Sequence, residues 1–324
     1  MKKMSFIILT MLLLVGCSTS KGADSVRLVL DWAPNTNHTG LYVALDQGYF
    51  DDIGIDFEIV QPPEDGAPGL VASGGAQFGI GFQDSLAPLF AKESPLPITA
   101  VAGIVQHNTS GLVSLKEKGI DRPSKLANHR YATWDSPVEK AMIEYIVSKD
   151  GGDFNAVTLI PSTVADAVSA LQTNIDAIWI FRAWDGIALD EAGLETNYLN
   201  FADYAPEFDY YSPVIIANND YLEANPEQAK KVMSAIKKGY EFASENPIEA
   251  GDILIKHVPE LRGKESFIHA SQQWLAPQYQ ADAQQWGLID EARWNRFYTW
   301  LAQQNLIDRP IAEGFGFTNQ FITE

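Results

Sequence analysis

The sequence predicts an α/β chain of two lobes followed by a helical end region. Three observations carry this: short apolar strands alternate with helices over the first two thirds, the alternation restarts near residue 112, and the last third is almost wholly helical in pattern. Of the 324 residues 46% are hydrophobic, enough for one large core or two medium ones.

Residues 27–30 read as a first strand, and a helix capped at Thr39 or a neighbour runs through Leu41, Val43, Ala44 and Leu45 to Gly48. Residues 56–60 alternate as a strand, 69–73 begin a short helix, and 78–81 form an apolar strand. Asp84 or Ser85 then caps a helix through Leu86, Leu89 and Phe90, and residues 98–104 make another strand. A second module opens at 112–115. Within it 130–133, 157–160 and 177–181 read as strands, with helices at 137–149 and 165–172 and Pro137 in a first helical turn. A strand over 213–217 precedes helices at 226–245, 247–256, from 271 onward, and 290–304. Alternation of this kind predicts parallel βαβ units throughout, with the second lobe inserted into the first. The expected division is a leader over 1–16, a tether over 17–25, lobe 1 over 26–111, lobe 2 over 112–212, and a return to lobe 1 with the helical region over 213–324. Two lobes around one cleft make a hinged trap.

The first residues predict export. Lys2 and Lys3 precede an apolar run from Met4 to Val15 that is too short to span a bilayer as a stable helix. Leu14-Val15-Gly16-Cys17 has the form of a lipobox, and Cys17 is the only cysteine of the chain, so lipidation at Cys17 is expected on an extracytoplasmic protein anchored to the cell membrane. No other thiol remains for a disulfide or a thiolate metal site. The formal net charge is −19, and loss of Lys2 and Lys3 with the leader takes it to −21. Such an acidic chain is a poor partner for nucleic acid, and its field disfavours anionic ligands.

The stretch from Asp31 to Phe50, DWAPNTNHTGLYVALDQGYF, places a strand end, a polar turn and a helix start within ten residues. In open α/β sheets ligands lie at the carboxyl ends of strands, so Asp31, Trp32, Asn35 and Asn37, with His38 in the same turn, form a candidate site for a small planar molecule; an ordinary capped loop with one buried Trp is the competing account. Catalytic motifs are thin. There is no P-loop, GxSxG elbow, HExxH or EF-hand series, and Gly79-Ile80-Gly81 lacks the third glycine of a dinucleotide fingerprint. The five histidines, at 38, 107, 129, 257 and 269, have no i, i+4 pairing that would suggest a metal site, and neither a metal nor a cofactor is expected.

Three segments carry a family resemblance: DWAPNTNHTGLYVALDQGYF, FGIGFQDSL from Phe78 to Leu86, and IDAIWIFRAWDGI from Ile175 to Ile187. They closely resemble the thiamine-pyrimidine family of solute-binding proteins, and the resemblance covers nearly the whole chain after the leader. It implies a type II periplasmic-binding-protein fold, with crossovers near Gly111 and Ser212. It further implies a monomer that captures a formyl-aminopyrimidine or hydroxymethyl-pyrimidine for an ABC permease and ATPase, without chemistry of its own. By this resemblance Trp32 stacks on the pyrimidine and Asp31 accepts a hydrogen bond. Phe82 stands where relatives carry Tyr, followed by Gln83 in its usual place. Across the cleft, Phe181 and Asp185 replace a Tyr and a Glu that pairs with a ring nitrogen and the exocyclic amine.

The bland accounts stand beside these. Phe181, Trp179 and Trp184 fit core positions at a strand end, and Tyr210 and Tyr211 fit hinge packing as well as they fit a cleft wall. Asp185, an acid between aromatic positions after a strand, is an unusual core choice. Two alternatives remain open. One is a binding protein for another heterocycle or a sulfonate, which would want a cation such as Arg182. The other is a pyrimidine synthase like the fungal relatives of this fold, which consume pyridoxal phosphate and a histidine at the place of His38.

Overall fold

The computed structural model describes residues 24–323 apart from Thr163 and Ala165, so the leader and Cys17 lie outside the described residues. Ten strands form two five-stranded sheets. β1 (Asp24–Val29), β2 (Ile55–Val60), β3 (Phe78–Gly81), β4 (Ile98–Gly103) and β10 (Val214–Asn218) make the lobe-1 sheet in the order β2-β1-β3-β10-β4. β5 (Ser110–Leu115), β6 (Arg130–Thr133), β7 (Thr158–Pro161), β8 (Ala177–Phe181) and β9 (Thr196–Asn200) make the lobe-2 sheet in the order β7-β6-β8-β5-β9. The two sheets have the same wiring. In each, three parallel strands are followed by one strand that arrives from the other lobe and one edge strand.

The arriving strands run against their neighbours, which corrects the expectation of parallel pairing throughout. β10 is antiparallel to β3 and β4, and β5 is antiparallel to β8 and β9. A strand that enters directly from the other sheet has no crossover helix to reverse its direction, and antiparallel pairing needs none. The passages lie at 104–109 and 201–213. Gly111 is inside β5, paired with Ile180 and Asn200, and the first passage ends just before it.

The chain-wide pattern of buried apolar faces sets the cores. Leu28, Val43, Phe78, Ile215, Val232 and Tyr240 belong to a core under the lobe-1 sheet, and Val113, Ile178, Ile180 and Leu189 to one on the lobe-2 sheet. The helix Thr39–Asp46 seats on the helix Pro226–Glu245 at a very close approach: a Cβ on Gly40 would overlap the Tyr240 ring, and one on Gly239 would meet the Gly40 carbonyl. Only glycine permits that spacing. The helix Glu265–Gln280, which starts well before the expected 271, touches both lobes. Its Ser271 hydroxyl donates to the Ala183 carbonyl beyond β8, and accepts from Thr36 of lobe 1 at 2.7 Å.

Candidate functional site

A cavity of about 460 Å³ opens between the two sheets. Its walls come from the carboxyl ends of parallel strands in both lobes: Asp31 and Trp32 after β1, Phe82 and Asp84 after β3, Trp134 after β6, and Phe181, Trp184 and Asp185 after β8. Tyr210 and Ser212 add the second passage, where the Ser212-Pro213 peptide is cis. This is the crevice where open α/β sheets place their ligands.

The polar turn of lobe 1 is a closed hydrogen-bond loop. Asn35 caps a short 3-10 turn, Thr36–His38, by accepting from the Asn37 N–H at 2.9 Å, and the Asn35 N–H donates to His38 Nδ1 at 3.2 Å. This reciprocal capping box starts the 3-10 turn, and the helix Thr39–Asp46 follows with His38, a neighbour of Thr39, at its N-cap position. Because Nδ1 accepts, the ring hydrogen is on Nε2, which donates to Asp31 Oδ1 at 2.7 Å. His38 is fully buried, so it stands behind Asp31 and not on the cavity wall. The ring, expected at the ligand, reaches the cavity only through Asp31. Tyr240 and Tyr279 donate to the Asn37 and Thr36 carbonyls and fasten the same turn from below.

Gln83 also departs from expectation. It is fully buried, its side-chain N–H donates to the Trp294 carbonyl at 2.8 Å, and its Oε1 accepts from the Tyr211 N–H at 2.9 Å. All of its polar capacity faces the lobe-1 interior, because the helix Gln83–Phe90 begins at this residue and turns it inward. Tyr210 lines the cavity, its buried ring stacked 4.2 Å from Phe297. Tyr211 is wholly interior.

Lobe 2 supplies most of the aromatic surface. Phe181 faces Phe82 across the cleft with ring centroids 6.2 Å apart, and Trp134 lies 5.5 Å from Trp179. Trp32 and Trp134 are about half exposed, one on each lip. The Trp134 backbone is held by the buried Glu139 carboxylate, which also accepts from Tyr131 and Thr133. β8 runs into a π-helical turn, Arg182–Gly186, a rare geometry that here rotates Trp184 and Asp185 toward the cavity. Burial pushes the Asp185 carboxyl up to about 6, although it accepts from the Phe181 N–H at 3.3 Å.

Sequence reasoning took Asp84 for a helix cap and missed it as a site residue. Burial pushes this carboxyl up to about 6 as well, and its Oδ1 has no hydrogen-bond partner. Trp134 and Trp179 were likewise missed as cavity groups, since a Trp at a strand end reads first as core. No Lys or Arg lines the cavity among the described residues. Arg182 instead pairs with Asp190 and lies over the Trp274 ring. Nor do the described histidines and acids form a group able to hold a metal ion.

Comparison with known proteins agrees with this architecture. The chain is 28% identical over 98% of its length, and 98% of the relative's, to a formylaminopyrimidine-binding protein of Halalkalibacterium halodurans. It is 23% identical over 75% of its length, and 74% of the relative's, to the 4-amino-5-hydroxymethyl-2-methylpyrimidine phosphate synthase THI11 of Saccharomyces cerevisiae. Among solved structures, the alkanesulfonate-binding protein SsuA of Xanthomonas axonopodis pv. citri superposes with a TM-score of 0.67 at 13% identity, covering 91% of this chain and 98% of that one. The fold is the two-lobed type II periplasmic-binding-protein fold. The pattern described as NMT1/THI5 like matches residues 35–250, about two thirds of the sequence, and the chain belongs to that family.

Proposed function

We propose that the chain is the extracytoplasmic solute-binding lipoprotein of an ABC importer, and that it captures an aminopyrimidine precursor of thiamine. One observation carries the choice of ligand: three carboxylates, Asp31, Asp84 and Asp185, share a small cavity with seven aromatic rings and, among the described lining residues, no cation. A flat heterocycle with amine donors suits both features, since its ring stacks and its N–H groups meet acceptors. The formylaminopyrimidine-binding relative supports the same class. A sulfonate is a poor match, because its charge would lie unpaired among carboxylates. The shorter Asp185 shifts preference among pyrimidines by leaving some ligand polar groups less well paired.

The synthase reading is weaker on two counts. A reactive histidine must be reachable, and His38 is buried with both ring nitrogens engaged. A Schiff base needs an amine, and no lysine lines the cavity among the described residues.

Calorimetric titration of residues 18–324 with formyl-aminopyrimidine, hydroxymethyl-pyrimidine, thiamine and taurine tests the reading. Binding of a pyrimidine and not of taurine is expected; binding of taurine alone would overturn it. For the anchor, the expected outcome is an acyl mass increment on the mature chain that vanishes in Cys17→Ser, read by intact-protein mass spectrometry.

A further inference from the structure

Two residues of the cavity wall each carry a buried polar atom that the protein leaves without a hydrogen-bond partner: Asp84 Oδ1 in lobe 1 and Trp179 Nε1 in lobe 2. Buried polar groups in folded chains are almost always paired, so an orphan at a cavity asks for a partner that the protein does not supply. One of these atoms is an acceptor and the other a donor. Neither is adjustable. Asp84 sits in the first turn of Gln83–Phe90 with the Ser85 backbone N–H against its carboxylate. The Trp179 ring packs 4.2 Å from Phe201 and 5.5 Å from Trp134, on a strand paired on both sides.

We propose that Asp84 Oδ1 and Trp179 Nε1 are ligand-contacting, specificity-determining groups, so that the bound molecule gives an N–H to Asp84 and an acceptor atom to Trp179. The inference rests on the binding reading above and adds two contacts to it. It narrows the chemistry to a flat ring bearing a donor on one edge and an acceptor on another. A quaternary ammonium has no N–H for Asp84, and a sulfonate would set oxygen against oxygen there. Asp185 and Asp31 are then free to take a second donor edge, which gives each lobe at least one polar contact and couples binding to approach of the lobes.

The test uses the chain from residue 18 onward, with two probes: 4-amino-5-hydroxymethyl-2-methylpyrimidine and its counterpart lacking the 4-amino group. Wild-type protein should prefer the amine by tenfold or more. Asp84→Ala should lose tenfold or more for the amine and little for the amine-free probe, collapsing that preference. Trp179→Phe, which keeps a ring and removes the N–H, should weaken both probes by about tenfold and leave the preference intact. Asp84→Asn, isosteric and uncharged, serves if the alanine variant does not fold; it should erode the preference with an undiminished unfolding temperature. Wild-type preference in the Asp84 variants together with wild-type affinity in Trp179→Phe would overturn this inference alone. A wild-type protein that binds neither probe would overturn the binding reading and this inference with it.

Discussion

On the lobe-1 wall Asp31 arrives with its partner already in place: His38 donates to Oδ1, and Asn35 fixes the ring that donates. On the lobe-2 wall Asp185 has one long backbone bond and a carboxyl that burial pushes up to about 6. The two walls share sheet wiring, but Asp31 and Asp185, the acids that follow β1 and β8, differ in how far the protein satisfies them. In lobe 1 two residues, His38 and Asn35, orient one acceptor before any ligand comes. Asp185 in lobe 2 is left with little pairing, so on the proposed binding reading its gain comes only with the ligand. The Trp134 lip follows the lobe-1 style, since the buried Glu139 holds its backbone.

The largest effect is expected at the less satisfied of these two acids. Asp185→Asn should weaken aminopyrimidine binding by about 1.5–3 kcal/mol, the range for a hydrogen bond to a charged group, or roughly tenfold to 150-fold. Its unfolding temperature should hold or rise, because a desolvated charge is removed. Unchanged affinity by calorimetry would take Asp185 out of the site. His38→Ala probes the other wall, where removal leaves a buried gap and frees Asp31 to rotate. Stability should fall by about 2–4 kcal/mol and affinity by about tenfold. If affinity stays while stability falls, the turn is a structural cap only.

Acidification reads the desolvated acids of both walls without mutation. Asp84 and Asp185 titrate near 6 in the folded chain against an ordinary 3.8, so the folded chain holds more protons between those values. These two groups therefore add stability as pH falls through that window. Asp150, held low by Arg122, and Asp176, held low by Arg130 and Lys118 against its burial, behave oppositely and lose their contribution below about pH 4. Between pH 7 and pH 5 the unfolding midpoint of the ligand-free protein should rise more than that of Asp185→Asn, which lacks one of the two groups that gain protons on folding. Ligand affinity should fall about tenfold from pH 7 to pH 5 for each of the two carboxylates that accepts from ligand.

Much of the fold was legible in the sequence because periodicity and punctuation agree there. Phe78–Gly81, Arg130–Thr133, Pro137–Lys149, Ala177–Phe181 and Pro226–Glu245 lie where pattern, Pro and flanking polar residues put them. β9, with the half-buried residues Thr196, Asn197 and Tyr198, has no apolar run to betray it. The antiparallel strands were hidden for another reason: direction in a sheet is a property of where the chain has come from, which local pattern does not encode. Within the site, Asp31, Trp32, Asn35, Phe82, Phe181, Asp185 and Tyr210 do line one cavity. Gln83 and His38 do not, since a polar residue beside a site and one supporting it look alike in sequence. Asp84 was read by its helix position, and helix-start acids are so common as caps that burial alone marks this one as different.

The smallest expected effect concerns the two exposed lips. Trp32 and Trp134 stand 52% and 47% exposed on opposite lobes, so neither ring is needed to hold its lobe together. A stacked aromatic contributes about 0.5–1.5 kcal/mol beyond its buried area, so Trp32→Ala should cost roughly threefold to tenfold in affinity with the unfolding temperature nearly unchanged. Trp134→Ala should cost the same if the ligand ring lies between both lips. The double variant then separates the arrangements: losses that add mean each indole covers its own part of the ligand, whereas a double variant no worse than either single one means that the second ring stacks only when the first has fixed the ligand plane. Stopped-flow measurement of dissociation reads this directly, because removing a lip that closes over bound ligand raises the off-rate more than it lowers the on-rate.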